Sequence, residues 1–171
     1  MKTQAQTIII TGFMGAGKTT IATALARKLS CPMIDLDRFI AEREGRTAQV
    51  IIDEDGEECF REIESRALRD AIQSEHVGIV ALGGGAWTVA HNRALVEEHD
   101  CFTVWLHAPF ELCWRRIEGE GKERPLGRDL AAASELYLKR RTTYDQAMLR
   151  IEISEAKSAA TVASEIADAL P

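Results

Sequence analysis

At 171 residues, this chain has the length of a single domain that can bury a substantial core, and we treat residues 1–171 as one unit. Its formal net charge of −6 argues against general binding to nucleic acid or to an anionic membrane, so anionic ligands would have to be attracted by local arginines. Although 46% of the residues are apolar, no apolar run approaches the roughly 18–20 residues of a membrane span.

The cysteines and the N-terminal sequence indicate the cellular compartment in which the protein works. Cys31, Cys59, Cys101 and Cys113 are scattered, without a Cys-x-x-Cys pair or a nearby histidine at ligand spacing. That pattern favours reduced thiols over disulfides or a zinc site. The N-terminus lacks the charged-then-apolar pattern of a secretion signal. We therefore expect a cytoplasmic protein.

Strand and helix patterns alternate along the chain. The predicted strands are 7–11, 32–36, 77–82, 102–107 and 150–153. The predicted helices are 18–29, 37–44, 57–74, 88–98, 110–118, 134–147 and 158–169. This alternation predicts an α/β fold with a parallel sheet, in which right-handed crossovers bring the loops that follow the strands to one edge. Ligands bind at that edge.

The first predicted strand runs into Gly12-x-x-Gly15-x-Gly17-Lys18-Thr19, which fits a P-loop between a strand and a helix. Glycines let backbone N–H groups curl around phosphate oxygens, and the helix N-terminus adds partial positive charge. Lys18 would bring a full charge to the β- and γ-phosphates, and the Thr19 hydroxyl can ligate Mg²⁺. An ordinary glycine-rich turn is the alternative, and the flanking strand and helix favour the P-loop.

Asp35-Leu36-Asp37 closes the second predicted strand, where alternation would point both carboxylates the same way. One carboxylate can hold Mg²⁺ through water, and the other can accept a hydrogen bond or a proton from an attacking hydroxyl. The alternative for Asp37 is a helix N-cap, a role compatible with the first.

Two arginines on predicted helices are candidates for a substrate carboxylate. Arg61 and Glu64 lie one turn apart and can pair, either as an ordinary surface ion pair or with Glu64 holding Arg61 as a carboxylate fork. Arg140 has Tyr144 one turn later. Taken alone, Arg140 is typical of a solvated arginine.

Gly83-Gly84-Gly85 follows the third predicted strand. Three glycines at the carboxyl end of a strand indicate close approach by a ligand or by another backbone segment. A simple tight turn is the alternative.

Residues 119–128 interrupt the alternation with three glycines, a proline and five charged residues. One interpretation is a solvated surface loop. The other is a lid that closes over bound nucleotide and brings Arg124 and Arg128 to the phosphates.

Together these motifs resemble the shikimate kinase family. In chain order they are Gly12-x-x-Gly15-x-Gly17-Lys18-Thr19, Asp35-x-Asp37, Gly56-Glu57-x-x-Phe60-Arg61-x-x-Glu64, Gly83-Gly84-Gly85, Arg124-Pro125-Leu126 and Arg140-x-x-x-Tyr144. The P-loop alone is shared by a huge superfamily, whereas the combination is far more specific. The resemblance covers nearly the whole chain.

The resemblance implies a three-layer P-loop fold of the nucleoside-monophosphate-kinase type, with a five-stranded parallel sheet in the order 2-3-1-4-5. It implies a substrate-binding helical segment at about 37–74 and a lid at about 119–128. The implied reaction transfers the γ-phosphate of ATP to the 3-hydroxyl of shikimate, with Mg²⁺ as cofactor, on the way to chorismate and the aromatic amino acids. We expect a monomer whose partners are ATP and shikimate.

The resemblance also implies residue roles. The implied catalytic residues are Lys18, Asp37 and Arg124. Those implied to bind ATP are Gly15, Ala16, Gly17, Lys18, Thr19, Thr20, Arg116 and Arg124. Those implied to bind shikimate are Asp37, Arg61, Gly83, Gly84, Gly85 and Arg140. Thr19 would ligate the metal, and Asp35 would support it through water.

Some choices stay open. Ile52 occupies a position that is often aromatic in similar enzymes and lines the shikimate pocket. Arg141 could replace Arg140 as the carboxylate ligand, although the four-residue spacing to Tyr144 favours Arg140. A kinase of the same architecture acting on another hydroxylated acid, such as gluconate, is the nearest alternative, and a non-catalytic nucleotide-binding module is a second.

Overall fold

The computed structural model describes residues 6–119 and 129–171. The strands are β1 (Ile8–Thr11), β2 (Met33–Asp35), β3 (Ile79–Ala81), β4 (Phe102–His107) and β5 (Leu149–Glu152). The helices are α1 (Lys18–Leu29), α2 (Leu36–Glu44), α3 (Ala48–Asp55), α4 (Glu57–Gln73), α5 (Ala90–Glu98), α6 (Phe110–Gly119), α7 (Leu130–Tyr144) and α8 (Ala159–Asp168). A short 3₁₀ turn, Ala86–Thr88, precedes α5.

The five strands form one parallel sheet in the order β2-β3-β1-β4-β5. This confirms the predicted fold class and strand order. Along the chain, β2 and β3 are added on one side of β1, and β4 and β5 are then added on the other side. The topology therefore reverses at β1. Ligands bind beyond the carboxyl ends of strands at such a switch point.

The central strand β1 explains the layered architecture. Ile8, Ile9 and Ile10 are at most 4% exposed, and successive residues of a strand point to opposite faces. Both faces of the sheet are therefore covered, which is the usual situation for parallel strands and gives the predicted three layers. α1 packs against α8, whereas α2, α3 and α5 pack against α4.

The prediction missed helix α3. Thr47 caps it, because its side chain accepts a hydrogen bond from the Val50 N–H, and Gly56 ends it. The helix has eight residues, too few for a clear helical period in the sequence. It lies between α2 and α4 in the segment predicted to bind substrate.

Two predicted boundaries were wrong in ways that matter for the site. β2 ends at Asp35 rather than at residue 36, so Asp37 lies in the first turn of α2. α7 begins four residues earlier than predicted, because Asp129 caps it by accepting from the Ala131 N–H at 2.9 Å, and it ends at Tyr144 rather than at residue 147. Capping, which depends on local geometry, decided both boundaries.

Within the two described ranges, no helix combines the length and apolar character needed to cross a membrane.

Candidate active site

The strand ends open into a cleft of about 1270 Å³. Every predicted site residue within the described ranges lines it. These residues are Gly15, Ala16, Gly17, Lys18, Thr19, Thr20, Asp35, Asp37, Arg61, Gly83, Gly84, Gly85, Arg116 and Arg140. Residues far apart in sequence therefore meet in one space.

The P-loop wraps the start of α1. Gly15 has φ +78°, and a Cβ there would lie 2.6 Å from the Cys113 carbonyl oxygen, so the loop requires glycine at this position. The Lys18 ammonium donates to the carbonyl oxygens of Gly12 and Phe13 at 2.9 and 3.0 Å. These bonds hold the ammonium on the loop. The helix begins after Gly17, which has no side chain to cap it, so the first N–H groups suit an anion.

Two further cationic side chains, Arg116 and Lys157, line the cleft. Arg116 donates from Nη1 to the Gly15 carbonyl oxygen at 3.0 Å, so its guanidinium lies against the loop. Lys157 also lines the cleft, and its ammonium pairs with Glu165 at 2.9 Å. The sequence reading did not assign a role to Lys157, since a single lysine in a loop carries no motif.

Asp35 connects the P-loop to α2. The Thr19 hydroxyl donates to Asp35 Oδ2, and Asp35 Oδ1 accepts from the Arg38 N–H at 3.1 Å. Asp35, and not Asp37 as the sequence suggested, is therefore the N-cap of α2. The predicted strand alternation does not relate the two carboxylates, because Asp37 lies in the helix.

Each glycine after β3 gives room to one charged side chain. A Cβ on Gly83 would lie 2.6 Å from Asp37 Oδ1. A Cβ on Gly84 would lie 3.4 Å from Arg140 Nη1. A Cβ on Gly85 would lie 2.9 Å from Arg61 Cζ.

The segment is also a turn, because the Ala86 N–H donates to the Gly83 carbonyl oxygen at 3.1 Å. The sequence had indicated close approach by a ligand or by backbone. In the structure, charged side chains approach all three glycines, and backbone atoms of Gly12 and Met14 also lie near Gly84. Gly83, Gly84 and Gly85 thus bring one carboxylate and two guanidinium groups to a single turn.

Glu64 is a buried carboxyl group beside Arg61. Its side chain is 1% exposed, and Oε2 accepts from Arg61 Nη1 at 2.8 Å. Burial raises the pKa of Glu64 from its ordinary value of 4.5 to about 7, and the neighbouring Arg61 opposes this shift only in part. Asp37 also raises this pKa, and Arg140 lowers it, so the four groups share one electrostatic environment.

We expect the stability of the protein to depend on pH through Glu64. Between pH 4.5 and about 7 the folded state keeps the Glu64 proton that the unfolded chain has released, so stability falls as pH rises. The Glu64→Gln variant has no ionisable group at this position, so its free energy of unfolding should not fall in this way. Across this pH window, the fall in wild type should exceed that in the variant by up to about 3 kcal/mol. Denaturant unfolding at a series of pH values measures it.

Glu62→Gln, on the exposed side of the same helix, is the matched control and should follow the wild-type curve. Parallel pH profiles for wild type and Glu64→Gln would contradict the raised pKa.

Arg140 and Arg141 have different environments. Arg140 is 8% exposed and lines the cleft, whereas Arg141 is exposed. Tyr144, 2% exposed, donates from its hydroxyl to the Gly84 carbonyl oxygen at 2.5 Å, and burial raises the pKa of Tyr144 to about 12. The tyrosine therefore stays a neutral donor and fixes α7 to the glycine turn.

Helix α3 forms a wall of the cleft that sequence reasoning largely missed. Ala48, Gln49 and Ile52 line the cleft. The available signal was Thr47 as a capping residue and Gly56 as a stop, around a short apolar run.

The proposed lid lies almost wholly outside the described residues. Its first residue, Gly119, is the last residue of α6. Arg124 and Arg128 fall outside the described ranges, and the lid stays a prediction.

The fold and the cleft together are those of a P-loop kinase. The family model for shikimate kinase matches residues 14–171. The chain belongs to the shikimate kinase family.

Relatives agree with this assignment. A shikimate kinase from Persephonella marina is 33% identical over 93% of this chain and 95% of its own length. One from Geobacter sulfurreducens is 38% identical over 94% of this chain and 88% of its own length. The structure of a shikimate kinase from Acinetobacter baumannii in complex with shikimate matches with a TM-score of 0.87 and 32% identity, covering 95% of this chain and 91% of that one.

The chain is therefore an ATP-dependent kinase that phosphorylates a hydroxyl group of shikimate. The sequence had left open whether the chain is a shikimate kinase or a kinase for another hydroxylated acid. The family assignment decides for shikimate kinase.

Proposed function

We propose that the cleft divides this reaction between two subsites. The P-loop residues Gly15 to Thr20, with Arg116, hold the ATP phosphates. Asp37, Arg61 and Arg140, arranged on the turn Gly83–Gly85, hold shikimate. The observation that supports this most directly is the placement of all three charged groups against successive glycines of one turn.

In the shikimate subsite, Arg61 and Arg140 clamp the carboxylate, because two guanidinium groups suit a planar anion. Asp37 lies in the first turn of α2, lines the cleft and approaches Gly83. There it accepts the hydrogen bond or the proton of the 3-hydroxyl group that attacks the γ-phosphate. Glu64 supports Arg61 from behind.

In the ATP subsite, Lys18 and the N-terminus of α1 stabilise charge that develops on the transferring phosphoryl group. Arg116, already bonded to the P-loop carbonyl of Gly15, adds charge on the nucleotide side.

Thr19 and Asp35 fit a magnesium site. Their side-chain oxygens meet in a hydrogen bond at the start of α1, and Mg²⁺ prefers oxygen ligands while keeping several waters. Such an ion needs only one or two protein ligands. When bound, Mg²⁺ would neutralise charge on the β- and γ-phosphates.

We further propose that the enzyme works as a monomer in the cytoplasm. In the described part of the chain, a single copy supplies all of the residues proposed above to bind ATP and shikimate. All four cysteines are free thiols, which suits a reducing compartment.

The test compares the two aspartates. Asp37→Asn should lower kcat for shikimate by about 100-fold or more, because it removes the proton acceptor. Asp35→Asn, the matched control, should mainly raise the Mg²⁺ concentration needed for half-maximal activity. A coupled ADP-release assay with Mg²⁺ titration measures both. If excess Mg²⁺ rescued Asp37→Asn and not Asp35→Asn, the two roles would be reversed.

A further inference from the structure

Asn92 is a fully buried polar residue on α5. It is not among the described residues that line the cleft, and none of the roles above uses it. Burying an amide is costly unless its hydrogen bonds are satisfied, and a small apolar side chain would pack at such a site without that cost. The hydrogen-bond partners of the Asn92 side chain therefore indicate what this residue does.

Both ends of the Asn92 amide are bonded. Oδ1 accepts from the Ser65 hydroxyl at 2.6 Å, and Nδ2 donates to the Ala86 carbonyl oxygen at 2.9 Å. Ser65 lies on α4, and Ala86 opens the 3₁₀ turn. One buried side chain thus joins α4 to the glycine turn.

The two anchor points are the immediate neighbours of the groups that hold Arg61. Ser65 follows Glu64, which accepts from Arg61 Nη1 at 2.8 Å. Ala86 follows Gly85, against whose backbone the Arg61 guanidinium lies. A shift of α4 along the turn would move the guanidinium relative to the rest of the cleft.

Arg140 reaches the same turn through different bonds. Trp87 donates from Nε1 to the Thr143 carbonyl oxygen at 3.0 Å, and the Tyr144 hydroxyl bonds Gly84 at 2.5 Å. These contacts hold α7. The bond from Ser65 to Asn92 therefore ties α4, which carries Arg61, to the turn and is not among the contacts that hold α7.

We propose that Asn92 is a positioning residue for shikimate: by tying α4 to the glycine turn, it sets where Arg61 meets the substrate carboxylate. This rests on the carboxylate clamp proposed above. A satisfied buried network specifies one arrangement, and small misplacements of a binding group cost affinity and rate.

The test uses Asn92→Ala, which removes both bonds, and Ser65→Ala, which removes only the bond to α4. Each should raise the KM for shikimate by about 5- to 30-fold, the equivalent of one or two hydrogen bonds, while the KM for ATP changes less than about twofold. Ser65→Thr keeps the hydroxyl and should restore a KM near that of wild type.

Val96→Ala is the matched control for lost stability. Val96 is 1% exposed on the same helix, and the truncation weakens the core without touching the bridge. Its KM for shikimate should stay within about twofold of wild type at a similar loss of thermal stability. If Asn92→Ala does not fold, Ser65→Ala and Ser65→Thr carry the test.

A double-mutant cycle separates positioning from general damage. In an Arg61→Ala background, Asn92→Ala should change the KM for shikimate by less than about twofold, because the group that it positions is gone. Full additivity, or an equal rise in the KM for ATP, would overturn the inference. If Arg61→Ala itself left shikimate unaffected, the clamp would be wrong. If Arg61→Ala raised the KM while Asn92→Ala and Ser65→Ala did not, only the inference would fail.

Discussion

Lys18→Met should fold normally and lose turnover by about 1000-fold or more. The ammonium lies on the P-loop, bonded to the carbonyl oxygens of Gly12 and Phe13. A bound nucleotide would bring its phosphates to the same loop. Methionine keeps most of the apolar stem of lysine and removes the charged ammonium with its two hydrogen bonds to the loop, so the loss reports on what the ammonium contributes. The measurement is kcat at saturating ATP and shikimate.

Lys28→Met is the control for the change in net charge. Lys28 lies exposed in the last turn of the same helix, so its replacement should leave kcat within about twofold of wild type. A folded Lys18→Met protein with turnover like that of wild type would refute the assignment of Lys18.

Arg140→Ala should weaken shikimate binding by about 2–5 kcal/mol and leave ATP binding nearly unchanged. Arg140 is 8% exposed beside Gly84, at the turn that also receives Arg61. A carboxylate bound there would keep one guanidinium partner and lose the other. Isothermal titration calorimetry with each ligand measures the two affinities separately.

Arg141→Ala removes the same charge from the next residue and is the matched control. Since Arg141 is exposed, we expect its shikimate affinity to match that of wild type. Unchanged affinity in Arg140→Ala together with a loss in Arg141→Ala would move the carboxylate ligand to Arg141. The thermal midpoints of both variants show whether the buried truncation also affects folding.

The strongest local sequence patterns were sufficient to predict the fold class. A buried apolar strand followed by the Gly15-x-Gly17-Lys18-Thr19 turn and an amphipathic helix can be read from neighbouring residues alone. The alternation of strands and helices then predicted the parallel sheet, and the family resemblance supplied the strand order that the structure confirms. These signals persist in sequence because each depends on periodicity or on turn chemistry within about ten residues.

Helix boundaries that depend on a single hydrogen bond were harder to predict from the sequence. Asp35 and Asp37 are both good capping residues, and the choice between them follows from which carboxylate reaches the Arg38 N–H. Helix α3 was missed for a similar reason, since its eight residues carry too little periodicity. The family resemblance had placed Ile52 at the pocket, but only the structure shows that it belongs to a helix whose Ala48 and Gln49 also line the cleft.

By itself the sequence determined the P-loop, the sheet, the candidate residues and the family, because these are encoded in short motifs and their order. Only the tertiary structure decided which charged groups share an environment. Gly83, Gly84 and Gly85 receive Asp37, Arg140 and Arg61 from three different helices, a convergence that no local pattern contains. The raised pKa of Glu64 and the bridge through Asn92 likewise arise from burial among distant segments, because desolvation and long-range hydrogen bonds depend on what surrounds a side chain.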